Sequence, residues 1–119
     1  MQFLTNISLP AVLPTADIID VPSGNYTIPA TANGKTLILS EDGAQTADLQ
    51  LNAVAAIAVG ARTEVYRTGT GVKGVTSPAG VTINGVDNAT VLFSEGSVYA
   101  LVLMQSAVDT WLCVGGVAL

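Results

Sequence analysis

The sequence predicts an all-β fold, either an antiparallel β-sandwich or a jelly-roll-like barrel of about 8–10 short strands with an extended N-terminal arm. Apolar and polar residues alternate with a period of two, most clearly at 63–67 and 81–84. Glycine makes up 12 of the 119 residues and separates short runs rather than lying within helical windows. We therefore expect an arm at 1–17 and one β-domain at 18–119.

The predicted strands are short runs, each bounded by turn residues. They are residues 18–21, 26–28, 36–40, 48–52, 63–67, 72–76, 81–84, 90–93, 98–104 and 110–114. Glycine-containing turns, such as Asn33-Gly34 and Asn84-Gly85, supply residues that tolerate positive φ. Strands with one apolar and one polar face are typical of antiparallel sheets. The small apolar residues at 52–60 fit either a buried strand or a short helix, because periodicity does not distinguish the two.

The charge content predicts self-association. Half of the residues (50%) are hydrophobic and only 11% are charged, against about 25% charged in ordinary domains. A surface so poor in charge indicates that much of it is buried against other subunits in an assembly, and we expect a homotrimer. The four basic residues, Lys35, Arg62, Arg67 and Lys73, are scattered against nine acidic ones. This pattern argues against nucleic-acid binding, which relies on basic patches.

The sequence shows neither a membrane segment nor a signal peptide. No apolar stretch reaches about 18 residues, the length needed to cross a bilayer. The N-terminal region has no basic residue before Lys35, and Pro10 and Pro14 interrupt its apolar run. We therefore expect synthesis in the host cytoplasm and no membrane partner.

The N-terminal segment is apolar and carries no charge before Asp17. Its two prolines favour an extended path. Two interpretations remain open: a first edge strand packed on its own core, or an arm that reaches onto a neighbouring subunit. In the second interpretation the interface residues are Phe3, Leu4, Ile7, Leu9, Val12 and Leu13.

Catalytic chemistry is poorly represented. The chain has no histidine and one cysteine, Cys113, which we interpret as a core hydrophobe because of its apolar neighbours. The carboxylate pairs Asp17 with Asp20 and Glu41 with Asp42 lie in turn-rich segments and are interpreted as solvated turn residues. The Gly-x-Gly at 69–71 precedes a β-like run instead of a helix, which disfavours a phosphate site. We expect no catalytic residue, no metal and no cofactor.

Six aromatic residues are spread along the chain: Phe3, Tyr26, Tyr66, Phe93, Tyr99 and Trp111. Trp111 lies in the last predicted strand, where a core or subunit-interface role is favoured over a ligand platform. We assign the same role, core or interface, to Tyr66 and Tyr99.

From about residue 36 onward, the chain resembles a β-module of tailed-bacteriophage virion proteins. The resemblance is carried by three ordered motifs. The first, at 60–71, joins Gly60 through a β-run to Gly69-Thr70-Gly71. The second is the run 80–85, and the third is the run 99–103 leading to 109–115 around Trp111. The resemblance implies an antiparallel β-sandwich that often trimerises, and it brings no catalytic residues.

The resemblance also implies a function. A chain with little beyond this module and an arm is similar to small capsid decoration, or cement, proteins. The implied role is to bind and stabilise the shell of the major capsid protein on the exterior of the virion. The alternative is a tail fibre or tail tip module that binds a host-surface glycan. A polysaccharide depolymerase is a distant third because of the missing catalytic residues.

Overall fold

The computed structural model describes residues 17–93 and 101–118, so residues 1–16 of the predicted arm lie outside the described part. Within these ranges the chain forms two β-sheets that share one core, which confirms the all-β prediction. The strands are β1 (Ile18–Val21), β2 (Tyr26–Thr27), β3 (Thr36–Leu39), β4 (Gln45–Asp48), β5 (Arg62–Arg67), β6 (Lys73–Thr76), β7 (Thr82–Ile83), β8 (Val86–Asp87), β9 (Thr90–Phe93), β10 (Leu101–Ala107), β11 (Thr110–Val114) and β12 (Gly116–Ala118).

The first half of the chain winds between the two sheets. Strands β1, β3 and β5 lie parallel in a seven-stranded sheet of order β1-β3-β5-β10-β11-β7-β8. Strands β2, β4 and β6 lie parallel in a five-stranded sheet of order β12-β9-β6-β4-β2. The chain crosses to the other sheet after every strand up to β6. These six strands therefore form three stacked coils of the kind found in β-solenoids.

The second half adds mostly antiparallel strands. Strand β9 pairs with β6, β10 with β5, β11 with β10, and β12 with β9, all antiparallel. Strand β7 is parallel to β11 and forms a hairpin with β8. The sheets are thus mixed, whereas the sequence predicted antiparallel ones. Alternation reveals which side chains face the core, but it carries no information about the direction of the neighbouring strand.

The core lies between the sheets. Leu37, Val65, Leu103 and Trp111 point into it from the seven-stranded sheet. The facing strands of the other sheet contribute the small or β-branched residues Ala47, Val75 and Val91, together with Phe93 at the end of β9. Cys113 is 8% exposed and belongs to this cluster, as its apolar neighbours predicted.

Two segments differ from the prediction. The predicted strand 48–52 is wrong, because β4 ends at Asp48, where its parallel pairing with β6 ends. Residues 52–60 form neither a strand nor a helix. Val54 and Ala55 donate backbone hydrogen bonds to Leu51 in a single turn. The small apolar residues there have no partner strand. The buried side-chain amide of Gln105 donates a hydrogen bond to the backbone carbonyl of Ile57 and so holds this loop in place of strand pairing.

The Asn84-Gly85 turn joins β7 to β8 as predicted. Both residues have positive φ, 53° and 82°, as a two-residue hairpin turn requires. The Asn84 side chain also accepts a hydrogen bond from Cys113 N at 2.9 Å and donates to Cys113 O at 3.0 Å. It therefore extends the pairing between β7 and β11 by one residue.

Candidate protein-binding face

The solvent side of the seven-stranded sheet is formed by alternate residues of five adjacent strands. In β5, Thr63 and Val65 are buried while Arg62, Glu64 and Tyr66 are exposed. The strand registers place the outward residues of β1, β3, β10 and β11 beside these three. We call the resulting surface the outer face; it consists of Ile18, Asp20, Thr36, Ile38, Arg62, Glu64, Tyr66, Val102, Met104, Leu112 and Val114.

Most of the outer face is apolar. Ile18, Tyr66, Leu112 and Val114 are 54%, 37%, 42% and 67% exposed. Val102, next to Val114 in the ladder, is half-buried by its neighbours. Exposed aliphatic side chains that adjoin in this way are typical of surfaces that bind protein.

Two opposite charges lie at the centre of this apolar surface. Arg62 and Glu64 are two residues apart on β5, next to Met104 and Val102 of β10. Glu64 Oε2 accepts a hydrogen bond from Tyr66 Oη at 3.1 Å. This bond and the negative charge of Glu64 raise the pKa of Tyr66 above the ordinary value of a phenol. Beside them is a shallow depression of about 330 Å³ lined by Gly34, Lys35, Arg62, Glu64 and Val102.

The solvent side of the five-stranded sheet is different in character. Its outward positions include Thr27, Thr76 and Thr90, which adjoin in register with Asp48. Asp48 Oδ1 accepts hydrogen bonds at 2.7 Å from the hydroxyls of Thr46 and Thr76. The part of this face around Asp48, whose polar groups already bond one another, has little to gain from a partner. The outer face of the seven-stranded sheet is therefore the stronger binding candidate.

Lys73 is the one lysine buried among the described residues, at 1% exposure. Its Nζ donates to the backbone carbonyl oxygens of Glu41, Gly43 and Thr70. Burial, and then the charge of Arg67, lower the pKa of Lys73, while Glu41 and Asp42 act in the opposite direction. An ammonium whose three protons are all donated inside the protein has no access to a substrate. We assign it a structural role, joining the turn between β3 and β4 to the turn between β5 and β6.

The two carboxylate pairs considered in the sequence also have structural roles. Asp17 pairs with Lys35 at 3.5 Å, and Asp20 Oδ1 accepts from the Ser40 hydroxyl at 2.6 Å. Glu41 Oε1 accepts from Gly24 N at 3.2 Å. Asp42 Oδ1 accepts from Thr70 N at 3.4 Å. All four carboxylates therefore stabilise a neighbouring loop or strand through an ion pair or a hydrogen bond.

Within the described ranges, the remaining reactive groups do not assemble into a site. Burial raises the pKa of the Cys113 thiol to about 11, which keeps it protonated and unreactive at neutral pH. No cluster of three or more acidic or cysteine side chains occurs there that would hold a metal ion. In the same part of the chain, no helix is long and apolar enough to cross a membrane.

The predicted site residues fall into three groups. Trp111 is 2% exposed and belongs to the core, whereas Tyr66 is on the outer face. Tyr99 lies outside the described residues, and so do the proposed arm residues Phe3, Leu4, Ile7, Leu9, Val12 and Leu13. The structure places Tyr66 beside Glu64 and on the same face as Arg62, two residues that sequence reasoning did not select. The alternation at 62–66 was a sufficient signal that these three side chains share one face.

Comparison with known protein families, curated proteins and solved structures gave no match.

Proposed function

We propose that this chain is a non-enzymatic virion protein that self-associates, as a trimer, and decorates the exterior of a bacteriophage capsid. The observation that supports binding to protein is the outer face, where exposed apolar side chains lie around the neighbouring opposite charges of Arg62 and Glu64. The capsid as target rests on the resemblance of the motifs at 60–71, 80–85 and 99–115 to phage virion modules.

The proposed mechanism is burial of apolar surface. Self-association that covers the outer face removes Ile18, Leu112 and Val114 from water, at about 25 cal/mol for each Å² of apolar area buried. An oligomer that contacts several capsid subunits at once multiplies weak individual contacts through effective concentration. Stabilisation of the shell follows because the bound oligomer links neighbouring subunits.

The alternative, a glycan-binding tail module, calls for aromatic rings on an exposed surface. Among the described aromatic residues, Tyr66 is exposed, Tyr26 is half-buried, and Phe93 and Trp111 are buried. A single exposed ring beside two charges is a weak glycan platform. The geometry therefore favours the protein-binding function.

The test compares two targets. Purified protein is incubated with expanded empty capsids of the parent phage and, separately, with host cells, and bound protein is measured after sedimentation. We expect saturable binding to capsids and a sedimentation mass of three times 12.1 kDa for the free protein. Binding to cells alone would assign the chain to the tail, and a monomer that binds neither target would refute the proposal.

A further inference from the structure

The central charges of the outer face make it complementary to itself. Arg62 and Glu64 point to the same side of β5, separated by two residues, or about 6.8 Å. They do not form an ion pair with each other: within the described ranges, the pair found within 4.0 Å joins Lys35 to Asp17. The Glu64 carboxylate has one described partner, the Tyr66 hydroxyl, and has room for further donors. Both charges are therefore available to a docked surface.

We propose that a second copy of this chain covers the outer face, with Arg62 of one copy paired to Glu64 of the other. This inference rests on the proposed self-association and names its contact. In the proposed trimer the contact is head-to-tail: Arg62 of each copy pairs with Glu64 of the next copy around the three-fold axis, so the same pair forms once between each copy and the next.

The charge pattern favours a copy of the chain over a different partner. Arg62 and Glu64 cancel, so the centre of the face presents no net charge to attract a strongly acidic or strongly basic surface. The whole chain carries a net charge of −5, which would repel a second copy if the contact lay on an acidic region. A contact centred on the opposite charges of Arg62 and Glu64 avoids that repulsion.

The apolar residues around Arg62 and Glu64 strengthen the attraction between these two charges across the contact. Val102 and Met104 lie beside Glu64 and Arg62 in the ladder, and Val114 and Leu112 follow on the next strand. When these aliphatic side chains are covered, water is excluded and the attraction between the paired charges rises. A guanidinium can bind a carboxylate through two parallel hydrogen bonds, which also fixes the alignment of the two sheets.

Charge reversal tests this pairing. Arg62→Glu and Glu64→Arg each place like charges opposite each other, and we expect self-association, measured by sedimentation equilibrium, to weaken on the order of 30-fold or more. The double variant R62E/E64R restores opposite charges and should associate like the wild type. An equimolar mixture of the two single variants should associate more tightly than either alone, which no interaction within one copy can produce. Thr27→Glu, on the outward side of the other sheet, is the matched control and should change nothing.

The outcomes separate this inference from the proposed function. A wild-type protein that is monomeric at tens of micromolar would refute self-association and this pairing together. If the wild type associates and the single variants, folded by circular dichroism, associate equally well, only the pairing is overturned. In that case the face has another occupant, such as residues 1–16 of the same chain or a different protein. A mixture no tighter than its components would also overturn the pairing.

Discussion

Lys73 lies beside Gln45 in the parallel pairing of β6 with β4, and these two buried side chains make the same kind of contact one coil apart. Gln45 Nε2 donates to the carbonyl oxygens of Val21 and Gly24, at the turn between β1 and β2. Lys73 Nζ donates to carbonyl oxygens at the turns that follow. One end of the coil stack is thus held together by polar side chains inside an otherwise apolar core.

The first prediction concerns the Lys73 ammonium. Lys73→Met keeps the length of the side chain but leaves the carbonyls of Glu41, Gly43 and Thr70 without this donor. We expect the free energy of unfolding to fall by about 3 kcal/mol or more, measured by urea denaturation. The control is Arg67→Met, because Arg67 also donates to two carbonyls in this region but is partly solvated. Its loss should cost about 1 kcal/mol, and equal losses would contradict the assigned role.

Lys73 also shows where sequence reasoning fails. The predicted strand 72–76 placed Lys73 and Val75 on one face and Val72 on the other, and a lysine is normally assigned to the solvent side. In the structure Lys73 and Val75 are buried and Val72 is 60% exposed. Lys73 can be buried because backbone carbonyls accept hydrogen bonds from its ammonium group. Two of these carbonyls, those of Glu41 and Gly43, belong to a turn more than 25 residues earlier in the chain. No local pattern reports such a contact.

Local patterns did predict the strands whose side chains alternate regularly. Strands β1, β9 and β11 have the predicted bounds, and the outward position of Tyr66 follows from the alternation of β5. Strand directions were not predictable, because parallel and antiparallel neighbours present the same alternation. The same holds for the candidate site. The sequence predicted its strands, but it did not predict that β5 and β10 are neighbours, which places Arg62 and Glu64 within an apolar surface.

The second prediction concerns the close approach of two turns. A Cβ atom at Gly69 would lie 2.0 Å from the carbonyl oxygen of Glu41, so Gly69→Ala forces the turns apart. We expect a loss of about 2–3 kcal/mol or more in thermal or urea unfolding. Gly34→Ala is the control, since a Cβ there meets nothing within 4 Å and only the positive φ of 77° is strained. It should cost about 1–2 kcal/mol. A smaller loss for Gly69→Ala than for Gly34→Ala would refute the tight stacking of these turns.

The third prediction is a pH dependence that arises from Cys113. Burial raises the pKa of this thiol from 9.0 to about 11, so the unfolded chain releases its proton at lower pH than the folded one. The unfolded state then binds fewer protons between these values, and stability falls as pH rises from about 9 to about 11. We expect a loss on the order of 1–2 kcal/mol, allowing for partial solvent screening. Cys113→Ala should remove this part of the loss in urea titrations at pH 8 and pH 11; an unchanged slope would refute it.

The fourth prediction separates binding from folding on the outer face. Leu112→Lys places a charge at an outward position that is 42% exposed, so the core below it is not altered. We expect the free energy of unfolding to change by no more than about 0.5 kcal/mol, while self-association weakens by at least about tenfold. Thr27→Lys adds the same charge to the outward side of the five-stranded sheet and should leave association intact. Equal effects of the two variants would show that the outer face is not the contact.

The last prediction returns to the N-terminal segment, whose apolar residues Phe3, Leu4, Ile7, Leu9, Val12 and Leu13 are proposed to bury against another subunit. Strand β1 begins at Ile18 and pairs with β3 along its whole length, so its ladder does not require the preceding residues. Full burial of each apolar side chain contributes about 1.5–3 kcal/mol before ordering costs, and the loss of several should abolish a contact. Removal of residues 1–14 should therefore leave the circular dichroism spectrum nearly unchanged and weaken self-association or capsid attachment by orders of magnitude. A truncated chain that unfolds would identify the segment as an integral edge strand. A truncated chain that assembles and binds like the full chain would place the whole interface on the sheets.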